Sequence, residues 1–127
     1  MKTVVVIFLL SFVMVGCKST SLETQMTSQQ RESLENLYEY EVKPQFISFV
    51  VKSTGCTRKE DFELLHNQYQ GRHEFALIRL KPDLCKAMPR AFPVTYRLDE
   101  FVNDNNEIKV LNSTNQPVKP VKKGKQG

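Results

Sequence analysis

Three cysteines and two histidines are the side chains in this 127-residue chain best suited to chemistry. Cys17 closes an apolar run, and Cys56 and Cys85 bracket His66 and His73. By type, Cys56, His66, His73 and Cys85 could form a zinc site, and a cysteine beside a histidine outlines a thiol nucleophile with its base. Spacing argues against both. Zinc sites usually bring ligands in close pairs on tight turns, and neither Cys-x-x-Cys nor His-x₃₋₅-His occurs here. Gly-x-Ser-x-Gly, a Gly-rich phosphate loop and His-Glu-x-x-His are also missing, and Glu60, Asp61 and Glu63 read as the solvated start of a strand. The sequence therefore predicts no catalytic residue, no metal and no cofactor. For Cys56 and Cys85 that leaves a disulfide or buried thiols, and the compartment decides between them.

Compartment is legible in the first seventeen residues. Met1-Lys2 is a short positive start, Val4 to Val15 is apolar except for Ser11, and Gly16-Cys17 follows. A spanning helix needs about 20 apolar residues, whereas a secretory leader carries about 7 to 15 after a positive start. Length favours a leader. Its junction, Met14-Val15-Gly16-Cys17, resembles the lipobox of bacterial lipoproteins. The resemblance covers the leader alone. It implies cleavage before Cys17, diacylglyceryl on the Cys17 thiol and acylation of the freed amine. Each buried methylene contributes about 0.8 kcal/mol, so two or three acyl chains hold a protein at a membrane permanently. By the sorting rule of that class, Lys18 in place of aspartate implies transport to the bacterial outer membrane, with the domain facing the periplasm. In that oxidising compartment the two remaining cysteines are expected to pair.

Charge adds little. The formal +4 sits at the ends, with Lys119, Lys122, Lys123 and Lys125 in the tail, and residues 18–116 carry 13 Lys+Arg against 14 Asp+Glu. Such a body gives no nucleic-acid signal; the Lys-rich tail is a solvated segment with at most a weak contact to an anionic surface.

Composition divides the chain into a leader (1–16), a lipidated Cys17 with a polar tether (17–28), a small domain (29–115) and a basic tail (116–127). Leu34, Leu37, Tyr38 and Glu41 have helical spacing, so a short helix is expected from Ser28 to Lys43-Pro44. Beyond it the period falls to two. Strands are expected at Phe46 to Val51, Asp61 to His66, His73 to Lys81, Pro93 to Leu98 and Glu107 to Leu111. Ser53-Thr54-Gly55 supplies the first turn, residues 67–72 close a hairpin, and Asp104-Asn105-Asn106 turns between the last two strands. The expected fold is mainly β: a small antiparallel β-sandwich or half-open barrel with one short N-terminal helix.

Between the third and fourth strands, residues 80–93 hold three prolines, basic residues and Cys85. Loops on a rigid scaffold often carry binding. Lys86, Met88, Arg90 and Phe92 are the candidate partner-binding residues. The expectation is an outer-membrane-anchored lipoprotein with a disulfide-stapled β-domain, a non-enzymatic binding or assembly accessory of an envelope or secretion complex whose partner is an envelope protein. The alternative is a periplasmic inhibitor or immunity protein. Asn112-Ser113-Thr114 fits a glycosylation sequon, read as a chance match in a bacterial lipoprotein.

Overall fold

A computed structural model describes residues 16, 19–102 and 106–115. Residues 1–15 of the leader, Cys17, Lys18, residues 103–105 and the basic tail lie outside the described residues. In chain order the elements are α1 (Leu22–Gln25), α2 (Ser28–Glu32), β1 (Leu37–Val42), β2 (Phe46–Ser53), β3 (Phe62–Tyr69), β4 (Arg72–Arg79), β5 (Arg90–Arg97) and β6 (Glu107–Val110). The protein is mainly β, as its alternating and β-branched runs dictate, and its strands form two three-stranded sheets ordered β1-β2-β5 and β3-β4-β6. Isolated bridges, Leu37 with Thr114 and Leu34 with Ile78, link the sheets along one side. Among the described residues no closed barrel forms.

The sheets bury one core between them, with Ile47, Phe49, Val51 and Val94 from the first against Phe62, Phe75 and Leu77 from the second. Strand β4 is buried on both faces. Its other face carries Ala76 and Ile78, which pack against Leu22 and Met26 of the N-terminal segment. The β3–β4 hairpin closes on Gln70-Gly71, both at positive φ (50° and 73°), the type I′ geometry for which glycine is suited. Both strands therefore run closer to the turn than residues 67–72 predict.

Four expectations need correction. Only Ser28 to Glu32 is helical in the segment expected to be one helix; its cap is Thr27, whose hydroxyl accepts the Gln30 N–H. Residues 37–42 form a strand because Tyr38, Tyr40 and Val42 also alternate with Glu39 and Glu41, and pairing with β2 satisfies their backbone. There are thus two short helices rather than one. Second, residues 19–28 do not form a free tether: Leu22 and Met26 are each only 5% exposed. Third, β6 runs parallel to β4, Arg72 pairing with Glu107. Strands β5 and β6 belong to different sheets, so the segment between them is a crossover and not a hairpin turn. Fourth, Phe92 packs against the core and is not an exposed loop residue.

Asn112 of the sequon is buried. Its amide donates to the carbonyls of Leu77 (2.7 Å) and Glu35 (2.9 Å), and its oxygen accepts the Leu77 N–H (2.8 Å). It stands in for a strand partner beside β4, and its nitrogen is committed inside the protein.

Candidate interaction loop

Residues 80–89 leave β4 and return as β5. The N–H groups of Leu80 and Lys81 both donate to the carbonyl of Asp61, which holds the loop's start against β3. Asp83 then gathers the segment after β2. Its carboxylate accepts the N–H groups of Thr54, Cys56 and Cys85 and the hydroxyls of Ser53 and Thr57, the Thr57 bond being 2.6 Å. The Thr57 hydroxyl, with the Thr54 and Cys85 N–H groups, holds the Asp83 carboxyl well below the usual carboxylate range, against an opposing cost of desolvation. Asp83 is an anion at neutral pH, and among the described residues its hydrogen-bond donors are neutral N–H and O–H groups. The sequence reading missed it, although Pro82-Asp83 before Cys85 is a turn signal.

Cys56 and Cys85 form a disulfide, their Cα atoms 5.6 Å apart. Ala87 donates to the Thr54 carbonyl (2.9 Å) and completes the clamp. Gly55 has φ 120°, and a Cβ there would lie 3.2 Å from that of Ala87, so close approach and conformation both call for glycine. Asp83 and the two sulfurs lie within 4.8 Å of one another and are metal ligands by type. The sulfurs, however, are bonded to each other and the carboxylate is already saturated.

With its backbone tied down, the loop turns its side chains outward. Leu80, Leu84 and Met88 are 59%, 82% and 88% exposed, and the only other exposed large apolar residue among those described is Phe46. Lys81, Lys86 and Arg90 are exposed beside them. Of the four predicted contact residues, Lys86, Met88 and Arg90 are exposed, and Phe92 is half-buried against the core. Leu80 and Leu84, which were not predicted, are exposed as well. Their exposure depends on where the clamps point them, which residue type alone does not reveal.

The loop's base is fixed through Arg79. Its guanidinium makes two bonds to the Glu35 carboxylate (2.8 and 3.1 Å), donates to the Lys52 carbonyl and lies 4.5 Å from the Phe62 ring centroid. That planar fork joins three segments at once.

The histidines lie elsewhere. His66 Nε2 and His73 Nδ1 are 2.9 Å apart, and His66 stacks on Phe75 with Phe101 at its edge. Desolvation, and then the neighbouring His73, push the His66 pKa below its ordinary value. The zinc set read by residue type is thereby divided: the cysteines are bonded beyond the start of β3, and the histidines pair toward the hairpin turn. A cleft of about 300 Å³ between the N-terminal segment and β6 mixes Met26, Leu34 and Leu111 with Glu23, Arg31 and Lys109, charges of both signs.

No protein-family model, curated protein or solved structure matches this chain. Among the described residues no helix is long and apolar enough to cross a membrane.

Proposed function

We propose that this protein is a lipid-anchored component of the bacterial envelope whose β-domain holds out a rigid loop for another envelope protein to bind. The observation that carries the reading is the concentration of Leu80, Leu84 and Met88, three of the four exposed large apolar side chains among the described residues, in one loop clamped by a disulfide and Asp83. A contact surface that is already ordered loses less entropy on binding. Its exposed Lys81, Lys86 and Arg90 complement a partner with an apolar depression and an acidic rim. The lipobox at residues 14–17 supports anchorage through Cys17, and Lys18 supports the outer membrane as its destination.

The test uses the soluble Cys17→Ser protein as bait in envelope extract. One partner should be retained by the parent bait and lost, by tenfold or more, on Leu84→Ser with Met88→Ser. A charge reversal, Lys86→Glu with Arg90→Glu, should weaken retention in a salt-dependent way. Melting curves confirm that the baits are folded. Identical partner lists across all baits would overturn the loop's role. If the captured partner is an enzyme whose activity falls on binding, the inhibitor reading replaces the accessory one.

A further inference from the structure

Residues 20–26 are pinned to the outer face of the β3–β4 hairpin. Asn67 Nδ2 donates to the Thr20 carbonyl (2.8 Å), and the Leu22 N–H donates to Glu74 Oε2 (2.7 Å). Asn67 and Glu74 are opposite one another in the β3–β4 register, so two adjacent side chains grip the chain at one level of the sheet. Glu74 is 1% exposed, and its other oxygen takes two bonds from Arg72. Leu22 and Met26 are buried against Ala76 and Ile78. From Thr20 the chain advances toward Leu34, which bridges to Ile78 near the far end of β4.

This direction has a consequence for the anchor. An eleven-residue coil would let the domain tumble some 15 to 20 Å from the membrane. Here only three peptide units separate Cys17 from the fixed Thr20, at most about 10 Å of reach. From Leu34 beside Ile78 back to Thr20 beside Asn67 the chain runs toward the hairpin turn, where Tyr69 and Arg72 pair on that same outer face, the guanidinium 5.7 Å from the ring centroid. Gln70 and Gly71 at the tip are exposed. Leu80 begins the loop six residues beyond Glu74 in the opposite direction, about 20 Å away along the strand.

We infer that the turn end of the β3–β4 hairpin is a membrane-facing surface, meeting the phospholipid headgroups of the bilayer that holds the Cys17 acyl chains, while loop 80–89 is presented away from it. Tyrosine suits the interface because its ring is apolar and its hydroxyl polar, and an arginine beside it suits lipid phosphates. This orientation rests on the reading that Cys17 carries lipid, and the experiment separates the two.

The chain has no tryptophan. Tyr69→Trp and Met88→Trp therefore each supply a unique fluorophore, the first keeping an aromatic ring beside Arg72 and the second at an exposed site. Each full-length protein, purified with its lipid, is placed in vesicles of phosphatidylethanolamine and phosphatidylglycerol containing phospholipid brominated near the headgroup. Quenching at Tyr69→Trp should exceed that at Met88→Trp at least threefold. Adding Leu22→Ser, which loosens the pinned segment, should shrink that ratio toward one. Equal quenching at the two positions in protein whose intact mass includes the acyl chains overturns the orientation and leaves the anchor standing. A ratio unchanged by Leu22→Ser overturns the part played by the pinned segment. An intact mass without acyl chains overturns the anchor and the orientation with it.

Discussion

Two carboxylates each draw a distant segment onto the β3–β4 hairpin, and they do so in different ways. At the turn end, Glu74 is buried, takes the Leu22 N–H and is balanced by Arg72. At the far end, Asp83 is partly exposed, takes five neutral donors from residues 53–57 and 85, and is helped by a disulfide. A carboxylate out of water needs a cation, whereas one at the surface can be satisfied by oriented N–H and O–H groups. The apolar side chains follow suit. The N-terminal segment is ordered by burial and spends Leu22 and Met26 on the fold. Loop 80–89 is ordered by covalent and polar clamps, which leaves Leu80, Leu84 and Met88 in solvent and available to a partner.

Removing the disulfide should cut deepest into this contrast. Cys56→Ala with Cys85→Ala releases a loop of sequence separation 29, worth about 3 to 4 kcal/mol by loop entropy. Urea unfolding with and without reductant measures it; a loss below about 1 kcal/mol means that Asp83 alone orders the loop. Next is Glu74→Ala, which strands the Leu22 N–H and Arg72 and should cost about 2 to 4 kcal/mol. Amide exchange should then speed up in residues 20–26 while the Cys85 region stays protected. If both regions loosen together, the two clamps are one cooperative unit.

Acid should affect both ends of the hairpin. Asp83 has a folded pKa below its ordinary 3.8, so its stabilisation is complete above that value and is lost as pH falls toward the folded one. Asp83→Asn should accordingly lower the melting temperature at pH 7, and its deficit against the parent should narrow below about pH 4. His66 is also held below its ordinary 6.5, so on acidification the unfolded chain takes up that proton first and stability declines as pH falls through 6.5. Replacing it with glutamine should flatten the melting-temperature profile between about pH 5 and 7; a profile of unchanged slope assigns the acid sensitivity to other groups. The smallest effect is expected at the loop surface. Leu84→Ser and Met88→Ser should each change unfolding free energy by less than about 0.5 kcal/mol, because these side chains contribute nothing to the core. A larger loss would mean that the loop packs in solution.

The strands β2 to β6 were legible in the sequence because period-two alternation and turn residues are local, and the sheet only had to accept them. Pairing of Cys56 with Cys85 was expected from the cysteine count and the export that the leader pattern implies. Strand β1 was not legible, since Leu34, Leu37 and Tyr38 satisfy a helical period while Tyr38, Tyr40 and Val42 satisfy a strand, and the exposed edge of β2 decided between them. Nor could a polar stretch with isolated Leu22 and Met26 announce its docking, which depends on a receptive face made by Ala76 and Ile78 some fifty residues later. Loop 80–89 stood out by its prolines and cysteine, but Asp83 as its hub and Leu84 on its surface required the fold. Local pattern thus determined strands β2 to β6 but not β1. The parallel placement of β6, the grip of Glu74 on Leu22 and the outward turn of the loop were settled by long-range contacts, whose energies depend on surfaces that exist only after the chain has folded.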